Sequence, residues 1–386
     1  MRGHMTTAAK SVSRAAMPGF LLLILLLVPG ALEFAQQAPA PARPVEISSD
    51  GRVTFHFRDP NAKQVSLVLE GGKQPLPMQR DDEGVWSVTT DPLAPDYYRY
   101  AFLADGVTLL DQFDPLLKPD LFTRWNMVHV PGPASLPWEM NDVPHGVVHH
   151  HFFHSRVIGD DRDFYVYTPP GYDPRGKESY PVLYLLHGFG GDASNWTSVG
   201  HANVILDNLI AQGKARPMIV VMPLGYGVPL IPDPYRPSFD VKDANFNGFR
   251  DSLFGEVMPQ VEKTYRVSKD RDSRAIAGLS MGGAESLFTG LNALDRFAWI
   301  GAFSSGVEGN FDSTLPLIDA KANSELRLLW IACGEDDPLF SGNQNLRAWL
   351  QAKGVRFTWV ETPGAHTWMV WRHNLAAFAP LLFRQK

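Results

Sequence analysis

The segment Gly278-Leu279-Ser280-Met281-Gly282-Gly283 constrains the fold of this chain more than any other feature. It has the pattern G-x-S-x-G and stands between a strand-like run, residues 273–277, and a helix-like run, residues 284–288. A serine on so sharp a turn takes a strained backbone, and the residues two positions to either side must be small to avoid the adjacent strand and helix. The pattern therefore predicts a nucleophilic serine, Ser280, at the end of a strand.

Two further groups follow Ser280 in the order that serine catalysis needs. A strand candidate, residues 326–333, leads into Gly334-Glu335-Asp336-Asp337, and its position favours one of the two aspartates as the acid that orients a base. After another strand candidate, residues 355–360, a loop carries His366. A neutral imidazole there can take the serine proton and return it to a leaving alcohol.

A glycine-rich loop, His187-Gly188-Phe189-Gly190-Gly191, follows the apolar run 182–186. Such a loop supplies one backbone donor for a developing oxyanion, and the residue after the nucleophile supplies the other. The expected donors are the N–H groups of Phe189 and Met281. Phosphate binding is not expected, because the loop lacks both the Lys-Ser/Thr ending of a P-loop and the G-x-G-x-x-G spacing.

Strand and helix patterns alternate from residue 145 to residue 386. The runs 182–186 and 218–222 are almost wholly apolar, as in strands covered on both faces, and apolar residues recur four apart over 202–211 and 249–265. This alternation predicts an open, mostly parallel, doubly wound α/β sheet.

Residues 45–132 show a different pattern of short alternating strands separated by turn signals, which predicts a small antiparallel β-sandwich. Four aromatic residues in it admit two roles, a sugar-stacking platform or core packing. They are Trp86, Tyr97, Tyr98 and Trp125.

The first 38 residues indicate a signal peptide and the start of a linker. Basic residues precede the apolar run 20–28, which is too short to span a bilayer but suits a signal-peptide core. Export to the periplasm or the exterior is therefore expected, without a stable membrane span once the leader is removed. An uncleaved anchor is the alternative.

Charge and metal-ligand patterns exclude other classes. The net charge of −6 is spread along the chain, so we expect no nucleic-acid partner. Cys333 is the only cysteine, and the histidines between 145 and 154 would alternate faces on a strand without a carboxylate cluster beside them. We expect neither a metal nor another cofactor.

The motifs together resemble the esterase D-like α/β-hydrolases, in particular carbohydrate esterase family one. The matching residues extend over most of 150–386 and are Tyr167-Thr168-Pro169-Pro170-Gly171-Tyr172, Leu185-Leu186-His187-Gly188, Gly278 to Gly283, Cys333 to Asp337, and Gly364-Ala365-His366-Thr367-Trp368. By this resemblance the acid aligns with Asp337. The segment in front resembles the immunoglobulin-like domains that precede many polysaccharide-active enzymes.

The resemblance implies an exported serine esterase acting on acyl or feruloyl esters of plant polysaccharide, its substrate being a small-molecule or polysaccharide ester. Trp196, Trp368 and Trp371 admit a role as walls of an aromatic acyl pocket or as core residues. The alternatives are an enterochelin-type siderophore esterase and a non-catalytic carbohydrate-binding protein.

Overall fold

A computed structural model describes residues 45–121, 124–229 and 242–384 of the chain. The predicted signal peptide and its linker lie outside the described residues. No helix within the described ranges combines the length and apolar character needed to cross a membrane.

The first ten strands form two antiparallel sheets of a β-sandwich. They are β1 (Val45–Ile47), β2 (Val53–Arg58), β3 (Val65–Leu69), β4 (Leu76–Pro77), β5 (Gln79–Arg80), β6 (Val85–Thr89), β7 (Asp96–Ala104), β8 (Val107–Leu109), β9 (Leu117–Pro119) and β10 (Arg124–Val130). One sheet has the order β1-β2-β6-β5, and the other has the order β4-β3-β7-β10-β9 with β8 paired to β7. The predicted sandwich is confirmed.

Alternating residues of both sheets form the sandwich core. Phe55 and Trp86 of one sheet pack with Leu67, Tyr98 and Tyr100 of the other. Of the two roles that the sequence left open, Trp86 and Tyr98 have the core-packing role, because at 6% and 7% exposure neither ring has a face to offer to a sugar.

Eight strands form the sheet of the second region. They are β11 (Val147–His154), β12 (Asp161–Thr168), β13 (Val182–Leu186), β14 (Ile219–Pro223), β15 (Arg274–Leu279), β16 (Trp299–Phe303), β17 (Leu328–Gly334) and β18 (Thr358–Thr362). Their order is β11-β12-β14-β13-β15-β16-β17-β18. Strands β11 and β12 form an antiparallel hairpin, β12 pairs antiparallel with β14, and the six strands β13 to β18 run parallel.

Helices alternate with these strands. The α-helices are α1 (Asn195–Ser198), α2 (Ala202–Ala211), α3 (Lys242–Ser252), α4 (Met258–Thr264), α5 (Ser280–Leu291), α6 (Phe311–Thr314), α7 (Ala322–Glu325), α8 (Phe340–Ala352) and α9 (Trp368–Phe378). A π-helical turn, Leu253–Val257, joins α3 to α4, and short 3-10 turns cover Arg271–Ser273 and Ala379–Leu381.

The sheet is covered on both faces, as the apolar runs predicted. In β13, Leu183 and Leu185 pack on one face with α2 and α9, while Tyr184 and Leu186 pack on the other. The predicted doubly wound α/β class is confirmed. Several strand boundaries were wrong by one to three residues. Strand β14 begins at Ile219 and β17 at Leu328, and β18 begins at Thr358, with Val355 packing into the core from the preceding loop.

Candidate active site

Ser280 stands at the junction of β15 and α5 with a strained backbone. Its φ is +75°, a left-handed conformation that residues with a Cβ rarely adopt. A Cβ on Gly278 would lie 2.5 Å from the Gly282 carbonyl oxygen, and one on Gly282 would lie 2.4 Å from that of His187. Both positions therefore require glycine, because backbone oxygens occupy the space that a Cβ would need. The turn holds the half-buried Ser280 side chain at the end of the central strand β15.

The structure brings Ser280, His366 and Asp337 into one hydrogen-bonded chain. His366 Nε2 lies 3.0 Å from Ser280 Oγ, and His366 Nδ1 lies 2.8 Å from Asp337 Oδ2. Of the two aspartates that the sequence leaves open, Asp337 reaches the imidazole with a fully buried side chain, whereas Asp336 is exposed. These hydrogen-bond distances and this order are those of a catalytic triad, in which an acid (Asp337) orients a base (His366) that activates a serine (Ser280).

Sheet topology explains why these residues meet. Strands β15, β17 and β18 are parallel, so their carboxyl ends lie at the same edge of the sheet. The acid loop and the histidine loop also contact each other directly. The Asp336 N–H donates to Gly364 O at 3.0 Å, and a Cβ on Gly334 would lie 2.5 Å from that same oxygen.

Asp337 is held in its ionised form. Burial alone would raise its pKa, but hydrogen bonds from His366 and from the Leu339 N–H, 2.8 Å away, lower that pKa below its usual value. A carboxylate accepts from the imidazole Nδ1–H and leaves Nε2 as the acceptor toward Ser280.

The glycine-rich loop lies against the nucleophile. A Cβ on Gly188 would stand 3.3 Å from Ser280 Cβ, and Met281 belongs to the first turn of α5, where backbone N–H groups have no acceptor within the helix. Gly188, the residue before Phe189, therefore lies against Ser280, and Met281 directly follows Ser280 in the chain. Their role as oxyanion donors stays a prediction.

Tyr226, which sequence reasoning missed, and His187 of the loop itself hold this loop in place. Tyr226 Oη accepts from the Gly190 N–H at 2.9 Å and donates to Gly191 O at 3.2 Å. The His187 Nδ1 lies 2.8 Å from Gly188 O, and Nε2 accepts from the Gly225 N–H at 2.8 Å. Burial lowers the pKa of His187, which keeps the ring neutral for this pairing. The signal for Tyr226 was its position just after β14, the strand next to β13.

The tryptophans near the site lie in the core, not on an open pocket wall. Trp196 and Trp368 are 1% and 3% exposed and pack edge to face, and Trp196 Nε1 donates to Leu186 O at 2.8 Å. This corrects the acyl-pocket interpretation for both residues. Trp371 is also buried, and its ring stands perpendicular to that of His366 at 4.8 Å, which supports the imidazole from one side.

The histidine-rich stretch forms the edge strand β11 and its approach. Each histidine hydrogen-bonds with a different side chain: His145 with Asp207, His149 with Thr168, His150 with Asp163, His151 with Tyr265 and His154 with Asp161. In the described part of the chain, no group of three or more His, Cys, Asp or Glu side chains is placed to hold a metal ion.

A buried carboxyl group, Glu285 on α5, lies behind the site. Its Oε1 accepts from Asn245 Nδ2 at 2.9 Å, and among the described residues none hydrogen-bonds to its Oε2. Burial raises the pKa of Glu285 well above 4.5, and the hydrogen bond from Asn245 and the charge of Arg162 offset this only in part. Glu285 is therefore a neutral acid over part of the pH range in which an exposed glutamate is charged.

Replacing Glu285 with glutamine is expected to flatten the pH dependence of stability. Above the unfolded pKa of about 4.3, the unfolded chain has released this proton while the folded protein retains it, so wild-type stability falls as pH rises toward the raised folded pKa. Glutamine does not titrate. Thermal unfolding of both proteins at pH 4 to 8 should give a Tm difference, variant minus wild type, that grows with pH; a constant difference would contradict the assignment.

Comparison with known proteins gives the family. The family model "Esterase: Putative esterase" matches residues 155–382. An endo-1,4-beta-xylanase/feruloyl esterase of Xylanibacter ruminicola is 30% identical over 351 residues, which is 88% of this chain but 46% of that protein. The chain thus spans about half the length of that relative.

Solved structures show the same fold. A ferulic acid esterase, 28% identical, aligns with a TM-score of 0.53 over 61% of this chain and 97% of its own. The enterobactin esterase FES from Shigella flexneri, 20% identical, aligns with a TM-score of 0.64 over 85% of this chain and 92% of its own. With its α/β-hydrolase sheet, its strained serine turn and the matched residues 155–382, the chain belongs to the esterase family.

Proposed function

We propose that this protein is an exported serine esterase that hydrolyses acyl or feruloyl esters of plant polysaccharide through an acyl-enzyme on Ser280. The observation that supports it most is the unbroken hydrogen-bonded chain from buried Asp337 through His366 to Ser280 on a strained turn. Strain of this kind is retained where function needs the geometry.

The proposed acylation follows from these contacts. Ser280 Oγ attacks the ester carbonyl carbon while His366 Nε2 takes its proton, and the imidazolium formed is stabilised by Asp337. The carbonyl oxygen becomes an oxyanion facing the N–H groups of Phe189 and Met281. Collapse breaks the bond to the alcohol oxygen, which leaves with the proton from Nε2.

Deacylation repeats the sequence with water as the nucleophile. His366 Nε2 takes a proton from water, the resulting oxygen attacks the acyl carbon, and the same two N–H groups face the second oxyanion. The acid is released as Ser280 Oγ recovers the proton. Each cycle consumes one ester and one water, and no redox change occurs.

The substrate class is proposed from the relatives and from the leader. A xylanase/feruloyl esterase is 30% identical over 88% of this chain, and a solved ferulic acid esterase is 28% identical. The predicted signal peptide fits an enzyme that meets a polymer outside the cell. Fusion of the first 40 residues to a reporter tests export, and a reporter retained inside the cell would contradict it.

Acyl specificity is tested by comparing kcat/KM for 4-nitrophenyl ferulate and 4-nitrophenyl acetate, with the Ser280→Ala variant as the blank. The common leaving group confines the difference to the acyl part. We expect ferulate to be preferred and ferulic acid to be released from feruloylated arabinoxylan. Fast acetate turnover with ferulate refused would contradict the feruloyl part of the proposal and point to deacetylation.

The second candidate is an enterochelin-type esterase. The observation in its favour is that FES shares the fold over 85% of this chain, which is more than the 61% covered by the ferulic acid esterase. Hydrolysis of enterobactin at a higher kcat/KM than the feruloyl ester would favour this candidate. A non-catalytic carbohydrate-binding role would instead leave the folded protein unlabelled by a fluorophosphonate.

A further inference from the structure

A buried ion-pair cluster of the sandwich lies between the two loops that carry the candidate catalytic groups. At its centre is Arg99 on β7: its Nη2 lies 2.9 Å from Glu70 Oε1, and its Nη1 lies 3.7 Å from Asp120 Oδ2. The Glu70 and Asp120 side chains are only 4% and 7% exposed. Charges this well shielded from water are screened little by salt, and removal of one partner leaves another uncompensated.

Glu70 also contacts the helix that follows His366. Its Oε1 accepts a hydrogen bond from the Trp368 N–H at 2.9 Å. Trp368 is the first residue of α9, and the side chain of Thr367 before it makes no capping hydrogen bond. A carboxylate here satisfies a donor that the helix start leaves without a partner, and it interacts favourably with the helix dipole. The sandwich thus caps the helix that begins just after His366.

Asp120, the other carboxylate of the cluster, contacts the region of the glycine-rich loop. Its Oδ1 accepts from Asn195 Nδ2 at 3.0 Å, and the neighbouring Leu121 N–H donates to Gly190 O at 2.9 Å. Asn195 is packed tightly on the same loop, since a Cβ on Gly191 would lie 2.0 Å from its Oδ1.

The body of α9 has a separate attachment to the sandwich. Arg372, which is fully buried, pairs with Asp96 and donates from Nη2 to Tyr97 O at 2.9 Å. This attachment does not involve Glu70. Loss of Glu70 is therefore expected to loosen the start of α9 while the rest of the helix stays docked.

We propose that Glu70 is a positioning residue for His366, and that Arg99 links the His366 loop to the oxyanion loop through the carboxylates of Glu70 and Asp120. This inference rests on the proposed serine mechanism. The sandwich is then a structural part of the catalytic apparatus, because it sets the distance between base and nucleophile from outside the hydrolase sheet.

The test compares Glu70→Ala with Glu70→Gln on 4-nitrophenyl acetate. We expect the alanine variant to lose about 10- to 100-fold in kcat with KM little changed, the size of loss that a displacement near 1 Å produces. Glutamine keeps an oxygen that can accept from the Trp368 N–H and should restore most of kcat. Asp111→Ala is the matched control, because Asp111 is also a buried carboxylate of the sandwich but contacts Tyr100 and Phe113 instead of the hydrolase region.

The same substitution is then made in a His366→Ala background. A residue that acts through His366 has nothing left to position there, so Glu70→Ala should cause no further loss in the residual rate of the His366→Ala protein. An equal loss in both backgrounds would mean a general structural role and would overturn the proposal.

A triple variant, Glu70→Leu with Arg99→Met and Asp120→Asn, keeps the test decisive if Glu70→Ala does not fold. It leaves no charge of the cluster unpaired, and replacing all members of a buried ion-pair cluster commonly preserves stability, but it still removes the cap of α9. We expect a folded protein with a reduced kcat; a folded triple variant with the wild-type kcat would overturn the proposal. If instead the wild-type protein shows no Ser280-dependent turnover, the serine mechanism itself has failed, which is a separate outcome.

Discussion

Replacement of Ser280 by alanine is expected to lower kcat for ester hydrolysis by about 10⁶-fold, the loss seen when a serine nucleophile is removed from a complete triad. The reason is that His366 Nε2, 3.0 Å from Ser280 Oγ, then has no hydroxyl to deprotonate. A residual rate above that in water is expected from the oxyanion donors and from binding. Initial rates on 4-nitrophenyl acetate at saturating substrate measure the effect.

The matched control for this variant is Ser286→Ala on the same helix. Ser286 is completely buried and its Oγ donates to Gly282 O at 2.6 Å, so its loss removes a helix hydroxyl without touching His366. We expect the control to keep most of the wild-type kcat. Wild-type turnover by a folded Ser280→Ala protein would contradict the assigned nucleophile.

Replacement of Asp337 by asparagine is expected to lower kcat by about 10⁴-fold while the protein stays folded. The carboxylate accepts from His366 Nδ1 at 2.8 Å, whereas an amide can present N–H groups to that nitrogen and so favour the tautomer whose Nε2 already carries a proton. That tautomer cannot accept the proton of Ser280.

Asp336→Asn makes the same chemical change at the adjacent, exposed position and should leave kcat near wild type. The two variants measured side by side separate the aspartates that the sequence alone left open. Equal losses in both, or a larger loss in Asp336→Asn, would contradict the assignment of Asp337.

The sequence predicted those parts of the molecule that local pattern determines. Residues 182–186 and 202–211 were placed as a strand and a helix with the bounds that the structure has, because apolar periodicity and short connections determine both. The sequence also predicted that Ser280, an aspartate and His366 would meet, because each of them follows a strand of one parallel sheet.

Contacts between residues far apart in the chain could not be predicted from the sequence. Glu70 and Trp368 are separated by 298 positions, and no local pattern reports that a turn of the sandwich caps α9. The burial of Trp196 could not be predicted either. A tryptophan after a glycine-rich loop is compatible with a pocket wall and with a core, and only the packing of Phe303 and Trp368 against Trp196 distinguishes the two. Val355 packs into the core from a loop, which apolar character alone cannot distinguish from a strand.

The most direct test of the central claim is covalent labelling of the folded protein with a fluorophosphonate, read by intact-protein mass spectrometry and peptide mapping. The structure predicts a single adduct on Ser280, formed at the wild-type rate in Asp336→Asn, much more slowly in Asp337→Asn, and absent from Ser280→Ala. An unlabelled wild-type protein, or an adduct that persists in Ser280→Ala, would contradict the account.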